Sequence, residues 1–137
     1  MLRVKDLHVR YGSAEALKGV SIHIDEGEMI ALLGANGAGK TTFLWALSGM
    51  IKPAFGTIEF RGTRIDKFPT YKIVRLGIVH VPQGRHLFPD MTVSENLELG
   101  WCGNNNAKDL QQELQKIFSY FEVLSKLKNR KAGTLRR

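Results

Sequence analysis

The sequence predicts an α/β fold, and three patterns carry that prediction. From Leu2 to Ile24 apolar and polar residues alternate, the period of half-buried strands. Met29 to Leu33 is an unbroken apolar run that leads into a glycine-rich loop and then a helix-like segment. From Thr92 onward the apolar residues recur at helical spacing instead.

The elements follow in order. Leu2/Val4 and Leu7/Val9 alternate but slip phase at Lys5-Asp6, which predicts a strand with a bulge there. Tyr11-Gly12-Ser13 reads as a turn, and Ala16 to Ile24 holds a second strand with Val20, Ile22 and Ile24 on one face. Asp25 to Glu28 is a charged turn. Met29 to Leu33 has the pattern of a strand buried on both faces. Lys40 to Ser48 carries Phe43, Leu44 and Leu47 at helical spacing, with Gly49 as a stop. Pro53 and Gly56 bracket a turn, and Thr57 to Phe60 is a short strand returning to Gly62. Tyr71 to Leu76 is a short helix ending at Gly77, and Ile78 to Val81 is an apolar strand closed by Pro82. Thr92 with Glu95 three residues on has capping-box spacing, so a helix starts there and stops near Gly100. Cys102 to Asn106 is a polar loop. Leu110, Leu114, Ile117, Phe118, Phe121 and Leu124 mark one face of an amphipathic helix.

Composition narrows the function. Hydrophobic residues make up 43% of the 137 and charged residues 24%, ordinary globular usage. No apolar run approaches the ~18 residues of a membrane span. Charges occupy the N-terminus where a secretory signal would place its apolar core, and the single cysteine excludes an internal disulfide. A soluble chain of a reducing compartment, the cytoplasm, is expected. The net charge of +7 suggests nucleic acid until it is located. Lys126, Lys128, Arg130, Lys131, Arg136 and Arg137 fall in the last twelve residues, and the rest of the chain has 14 basic against 13 acidic residues. The body is nearly neutral, so the basic run reads as a solvated end and no nucleic-acid partner is expected.

Gly34-Ala35-Asn36-Gly37-Ala38-Gly39-Lys40-Thr41 fits the phosphate-loop pattern, Gly, four residues, Gly-Lys-Thr. Glycines let consecutive N–H groups turn toward phosphate oxygens, and the helix that follows presents its positive end to the same anion. Lys40 is placed to reach the β- and γ-phosphates, and the Thr41 hydroxyl to hold magnesium. With glycine at ordinary usage the pattern arises by chance in a chain of this length roughly 1% of the time. The strand before it and the helix after it match the required context.

Three further stretches point to a family. Leu17-Lys18-Gly19-Val20-Ser21, Gly34 to Thr42, and Val81-Pro82-Gln83 together resemble the nucleotide-binding subunit of an ATP-binding-cassette (ABC) transporter, from Met1 to about Leu135. Gly77 to Pro89, followed by Met91-Thr92-Val93 and Glu95-Asn96-Leu97, is similar to the second ATPase subunit of branched-chain amino acid importers, with relatives serving urea or short-chain amides. The resemblance implies a P-loop NTPase fold of the ABC ATPase type, with an N-terminal antiparallel β-subdomain, an incomplete core sheet and the start of a helical subdomain. Residues 1–91 would form the β-subdomain and phosphate-loop core, and 92–137 a partial helical subdomain. It implies ATP and Mg as ligands, with Tyr11 stacking on adenine and Gly34, Ala35, Asn36, Gly37, Ala38, Gly39, Lys40, Thr41 and Thr42 around the phosphates. Thr42 would lie near the α-phosphate. Thr41 and Gln83 would hold the metal, and Gln83 would also position the attacking water. Arg85 to Gly100 would face transmembrane permease subunits, a second ATPase subunit would complete the complex, and the chain would sit at the inner face of the cell membrane.

The sequence departs from the family after Gly133-Thr134-Leu135, where Arg136-Arg137 stands in place of the signature motif. No apolar run ending in Asp-Glu occurs in the 137 residues, so the metal-holding Asp, the catalytic Glu and the switch His have no counterpart. The expectation is a truncated chain that binds ATP without hydrolysing it, although the family is an ATP hydrolase. The alternatives are a non-catalytic nucleotide-binding fragment or another P-loop NTPase. A GTPase would show Asn-Lys-x-Asp, which Asn106-Ala107-Lys108-Asp109 only approximates. Without the family's later strands, apolar edges beside Met29 to Leu33 should be exposed.

Overall fold

A computed structural model of the chain describes residues 1–84, 86–101 and 110–135. The expectations for Arg85, Cys102 to Asn106, Asn106-Ala107-Lys108-Asp109 and Arg136-Arg137 lie outside the described residues. The chain divides into two compact units, Met1–His80 and Val81–Arg137.

In the first unit, β1 (Leu2–Tyr11) and β2 (Ala14–Ile24) form an antiparallel hairpin through Gly12-Ser13. The phase slip is a real bulge. The register jumps from Val4 opposite Ile22 to Leu7 opposite Val20, and Asp6 takes a positive φ of 49°. The Asp6 N–H, out of the ladder, donates to Ser21 Oγ at 2.9 Å. This slip lets Leu2, Val4, Leu7 and Val9 all face inward. The other edge of β1 pairs antiparallel with β3 (Phe55–Phe60), which returns through Arg61-Gly62 to β4 (Thr63–Arg64), giving the order β2-β1-β3-β4. The short β4 strand has only two residues and no alternation by which the sequence could announce it. A Cβ on Gly56 would collide with the Asp6 carbonyl, so the bulge and this glycine form one device.

Two helices cover one face of the sheet's core. α1 (Lys40–Leu47) buries Phe43 and Ala46, and α2 (Thr70–Arg75) buries Ile73. They share one cluster with Leu7, Val9, Leu17, Ile58 and Ile65. Leu7, Ile58 and Ile65 are wholly removed from solvent, and each such side chain contributes roughly 1.5–3 kcal/mol. The buried Asp66 carboxylate accepts Arg64 Nε at 2.8 Å, Arg64 Nη2 at 3.2 Å and the Ile58 N–H at 3.4 Å.

Two expected strands are not strands. Met29 to Leu33 has no pairing partner and is exposed, Met29 by 96% and Leu33 by 88%. Ile78 to Val81 is likewise unpaired, with Val79 and Val81 exposed. A strand buried on both faces needs neighbours on both edges, and the four-stranded sheet of the first unit is built entirely from other segments. The expected exposure of apolar segments around Met29 to Leu33 is therefore present, and the core sheet is incomplete.

In the second unit, α3 (Val93–Trp101) opens on the expected capping box. The Thr92 N–H donates to Glu95 Oε2 at 2.7 Å, and the Glu95 N–H donates to Thr92 Oγ1 at 3.2 Å. The remaining free donors of that helix end are met by chain returning from far along the sequence. The Val93 N–H donates to the Arg130 carbonyl and the Ser94 N–H to the Lys128 carbonyl, both at 3.0 Å. The Asn96 side chain clamps Phe88, accepting from its N–H at 2.9 Å and donating to its carbonyl at 3.0 Å. The single amphipathic helix expected over Leu110 to Leu124 is instead two, α4 (Leu110–Tyr120) and α5 (Glu122–Leu127). Phe121 leaves helical geometry (φ −131°, ψ 73°), and neither helix has a fully buried residue. A short 3-10 turn, Ala132–Thr134, follows. No helix among the described residues is long and apolar enough to cross a membrane.

Candidate functional site

The glycine-rich loop runs from Gly34 into the first turn of α1, and Gly34 to Ala38 are exposed. Two positive-φ residues shape it, Gly37 at 84° and Gly39 at 89°. Gly39 is the residue before α1 and lies tight against β2. A Cβ there would stand 2.7 Å from Leu17 Cδ2 and 2.8 Å from the Ala16 carbonyl oxygen. Only glycine satisfies both the left-handed backbone and that approach. Phe43 and Ala46, buried one and two turns on, fix the helix whose N-terminal donors end the loop.

The Lys40 ammonium sits inside the loop, donating to the Gly34 carbonyl at 2.6 Å and the Ala35 carbonyl at 2.7 Å. Both acceptors belong to the loop, so the lysine is held where an anion cradled by the same backbone would meet its charge. Thr41 is exposed, and among the described residues its hydroxyl has no hydrogen-bond partner. Thr42 is buried, and its Oγ1 lies 3.4 Å from the hydroxyl of Tyr11, which is itself 46% exposed at the end of β1. The fold thus brings Tyr11, Thr42 and the loop together within the first unit. Gln83 lies in the second unit, exposed, with its carbonyl accepting from the His86 ring at 2.9 Å.

These residues suit an anion of several charges. The loop offers backbone donors, one ammonium and an unengaged hydroxyl at a helix N-terminus, with a half-exposed aromatic ring at its side. Among the described residues no group of three or more His, Cys, Asp or Glu is placed to hold a metal alone. A metal here would need oxygens from the hydroxyl and from the anion, which is how magnesium is held beside phosphates. Two contacts that support this site carry no sequence signal. Leu17 and Ala16 close over Gly39. The buried Ser48 Oγ, at the end of α1, meets His80 Nδ1 at 3.3 Å across 32 residues.

Comparison with known proteins places these features in context. The family model for ABC transporters matches residues 17–135. The chain is 36% identical over 135 residues to the high-affinity branched-chain amino acid transport ATP-binding protein BraG of Pseudomonas aeruginosa, covering 98% of this chain and 58% of that protein. It is 42% identical over 97 residues to LivG of Salmonella typhimurium, a protein of the same description, covering 71% of this chain and 38% of that one. Among solved structures, an ATP binding subunit of an ABC transporter superposes with a TM-score of 0.86 at 28% identity, over 99% of this chain and 56% of that one. A nucleotide-free ATP-binding cassette from an ABC transporter gives 0.78 at 28% identity, over 99% and 59%. The chain therefore spans about half the length of the proteins it matches.

Proposed function

This chain belongs to the ABC transporter family, and on that premise we propose that it is the ATP-binding part of an importer's ATPase subunit, serving branched-chain amino acids. The observation that carries the reading is the loop from Gly34 to Thr42, with Lys40 drawn onto its carbonyls and Tyr11 beside it. The solute class rests on the relatives described as branched-chain amino acid transport proteins.

In this reading the backbone of Gly34 to Gly39 and the Lys40 ammonium bind the β- and γ-phosphates. Tyr11 stacks on the adenine, and Thr42 lies near the α-phosphate. Thr41 and Gln83 would hold Mg, which supplies charge neutralisation at the terminal phosphates. Transmembrane permease subunits and a second ATPase subunit are the partners, met at the cytoplasmic face of the membrane.

The 137 residues alone bind ATP without turning it over. Hydrolysis needs a group that orients or deprotonates water, worth roughly 10²–10⁴ in rate. The carboxylates that follow Gln83 most closely in the sequence are already engaged: Glu95 accepts within the capping box, and Asp90 lies 3.7 Å from the Lys131 ammonium. The test is calorimetric titration with ATP and GTP in magnesium, beside phosphate release. ATP binding that Lys40→Ala abolishes is expected, with no steady turnover. ATP affinity unchanged by Lys40→Ala would refute the phosphate-loop assignment. Turnover lost in that variant would refute the inactive reading, and a preference for GTP would refute the family's nucleotide.

A further inference from the structure

A second anion-binding feature lies away from the phosphate loop. Between the segment entering β3 and the segment leaving β4 is a cleft of about 500 Å³, within the range of small-molecule sites. Its walls include Lys52, Arg64 and Lys67 against a single acid, Asp66. In a body whose 14 basic residues nearly balance 13 acidic ones, a local excess of two positive charges is a concentration rather than a background.

Two of the three cations, Arg64 and Lys52, are also held in place. The Asp66 side chain is 4% exposed and grips Arg64 through both carboxylate oxygens, while the Arg64 side chain is 60% exposed. Burial pushes the Asp66 carboxyl up, but the Arg64 guanidinium and the Ile58 N–H outweigh it and hold it below the usual carboxylate range. The pair therefore stays ionised, and the guanidinium keeps N–H groups beyond the two donated to Asp66. The Lys52 ammonium donates to the Phe68 carbonyl, which fixes it with hydrogens to spare. Lys67 is exposed and has no hydrogen-bond or ion-pair partner among the described residues. Phe55, 63% exposed, and Pro53 give the cleft an apolar side. The Phe55 ring is braced edge-on by His8, with ring centres 6.1 Å apart.

We propose that this cleft binds a phosphate monoester, the dianion lying between Arg64, Lys67 and Lys52 and the ester group against Phe55. A carboxylate-held arginine fork is suited to the paired oxygens of a phosphate. The net charge of the walls matches a dianion. The site is independent of the nucleotide reading, since none of its residues belongs to the phosphate loop.

The test titrates the full chain with phenyl phosphate, and separately with inorganic phosphate, by calorimetry and amide NMR. Saturable binding of phenyl phosphate is expected, with shifts at Phe55 and Lys67 rather than at Gly34 to Thr41. Arg64→Gln should weaken it about tenfold or more. Because that change strands a buried carboxylate, Lys67→Glu, at an exposed side chain, provides the second variant and should cancel the net positive charge of the walls and remove binding. Binding retained in Lys67→Glu, or shifts confined to Gly34 to Thr41, would overturn the proposal. Inorganic phosphate binding as tightly as phenyl phosphate would overturn the assignment of an ester. Loss of ATP binding in Lys40→Ala bears on the other site alone.

Discussion

Gly39→Ala isolates what the junction of loop and helix requires. Two costs add at this position. An L residue at φ 89° is in a left-handed conformation that costs roughly 1–2 kcal/mol. The new Cβ would also stand 2.7 Å from Leu17 Cδ2 and 2.8 Å from the Ala16 carbonyl oxygen. Leu17 is 4% exposed and Ala16 is the neighbouring backbone of β2, so neither can swing aside freely. Forced overpacking of this kind costs about 1–3 kcal/mol, for a total of about 2–5 kcal/mol. Gly37→Ala is the control, because Gly37 has φ 84° but no atom within 4 Å of its notional Cβ. It should lose only the backbone part, about 1–2 kcal/mol. Urea denaturation followed by circular dichroism reads the difference. With slopes of about 1–3 kcal/mol per molar urea, the Gly39→Ala midpoint should fall below that of Gly37→Ala by roughly 1 M. Coincident midpoints would show that the contact with β2 is not what demands glycine.

Tyr11→Ala should weaken ATP binding by ~1–3 kcal/mol if its ring stacks on the base, whereas Tyr11→Phe should keep most of the affinity; equal losses in a titration would assign the effect to the hydroxyl near Thr42. Glu95 is held below its usual range by the Thr92 N–H and then by the Thr92 hydroxyl, so its support of α3 is present above pH 4.5 and is lost as pH falls through the lower folded value. Melting curves of the wild type and Glu95→Gln should converge in acid, and parallel curves would count against the capping box. His8 is raised, first by Glu15 and then by Asp6, which accept from its two ring nitrogens at 2.7 and 3.2 Å. Its contribution is complete below pH 6.5 and fades as pH rises through the higher folded value. A His8→Gln chain should lack that alkaline loss, and a wild-type profile flat from neutral to alkaline pH would refute it.

Much of this architecture was legible because its signals are local. The bulge at Lys5-Asp6 showed as a slip in a period of two, the Thr92–Glu95 cap as a spacing of three, and the stop of α1 as Gly49. The phosphate loop was legible for the same reason, since its chemistry is packed into consecutive residues. What the sequence hid depends on partners distant in the chain. β4 exists only as the far side of a turn against Glu59 and Phe60. The break at Phe121 interrupts an apolar stripe whose spacing continues through it. The return of Lys128 and Arg130 carbonyls to the start of α3 uses main-chain atoms, which carry no residue code. Only the family resemblance points to Tyr11, and its 3.4 Å approach to Thr42 has no signal in a spacing of 31 residues.

The unpaired apolar segments bear directly on how the loop works. Apolar pattern specifies that Met29 to Leu33 belongs in an interior, but pairing requires neighbours that the sheet of the first unit does not provide. The phosphate loop is consequently anchored at one end. On its C-terminal side Gly39 is wedged against β2, and Phe43 and Ala46 lock α1 into the core. On its N-terminal side the chain arrives through five residues that are all exposed. The two bonds from Lys40 to Gly34 and Ala35, with the Ala38 N–H donating to the Ala35 carbonyl at 3.2 Å, tie that side back to the helix. A phosphate drawing the same ammonium toward itself competes with those bonds. A strand pairing with Met29 to Leu33 would fix the N-terminal side of the loop without those bonds, and preorganisation of that kind tightens a site without adding a contact to it.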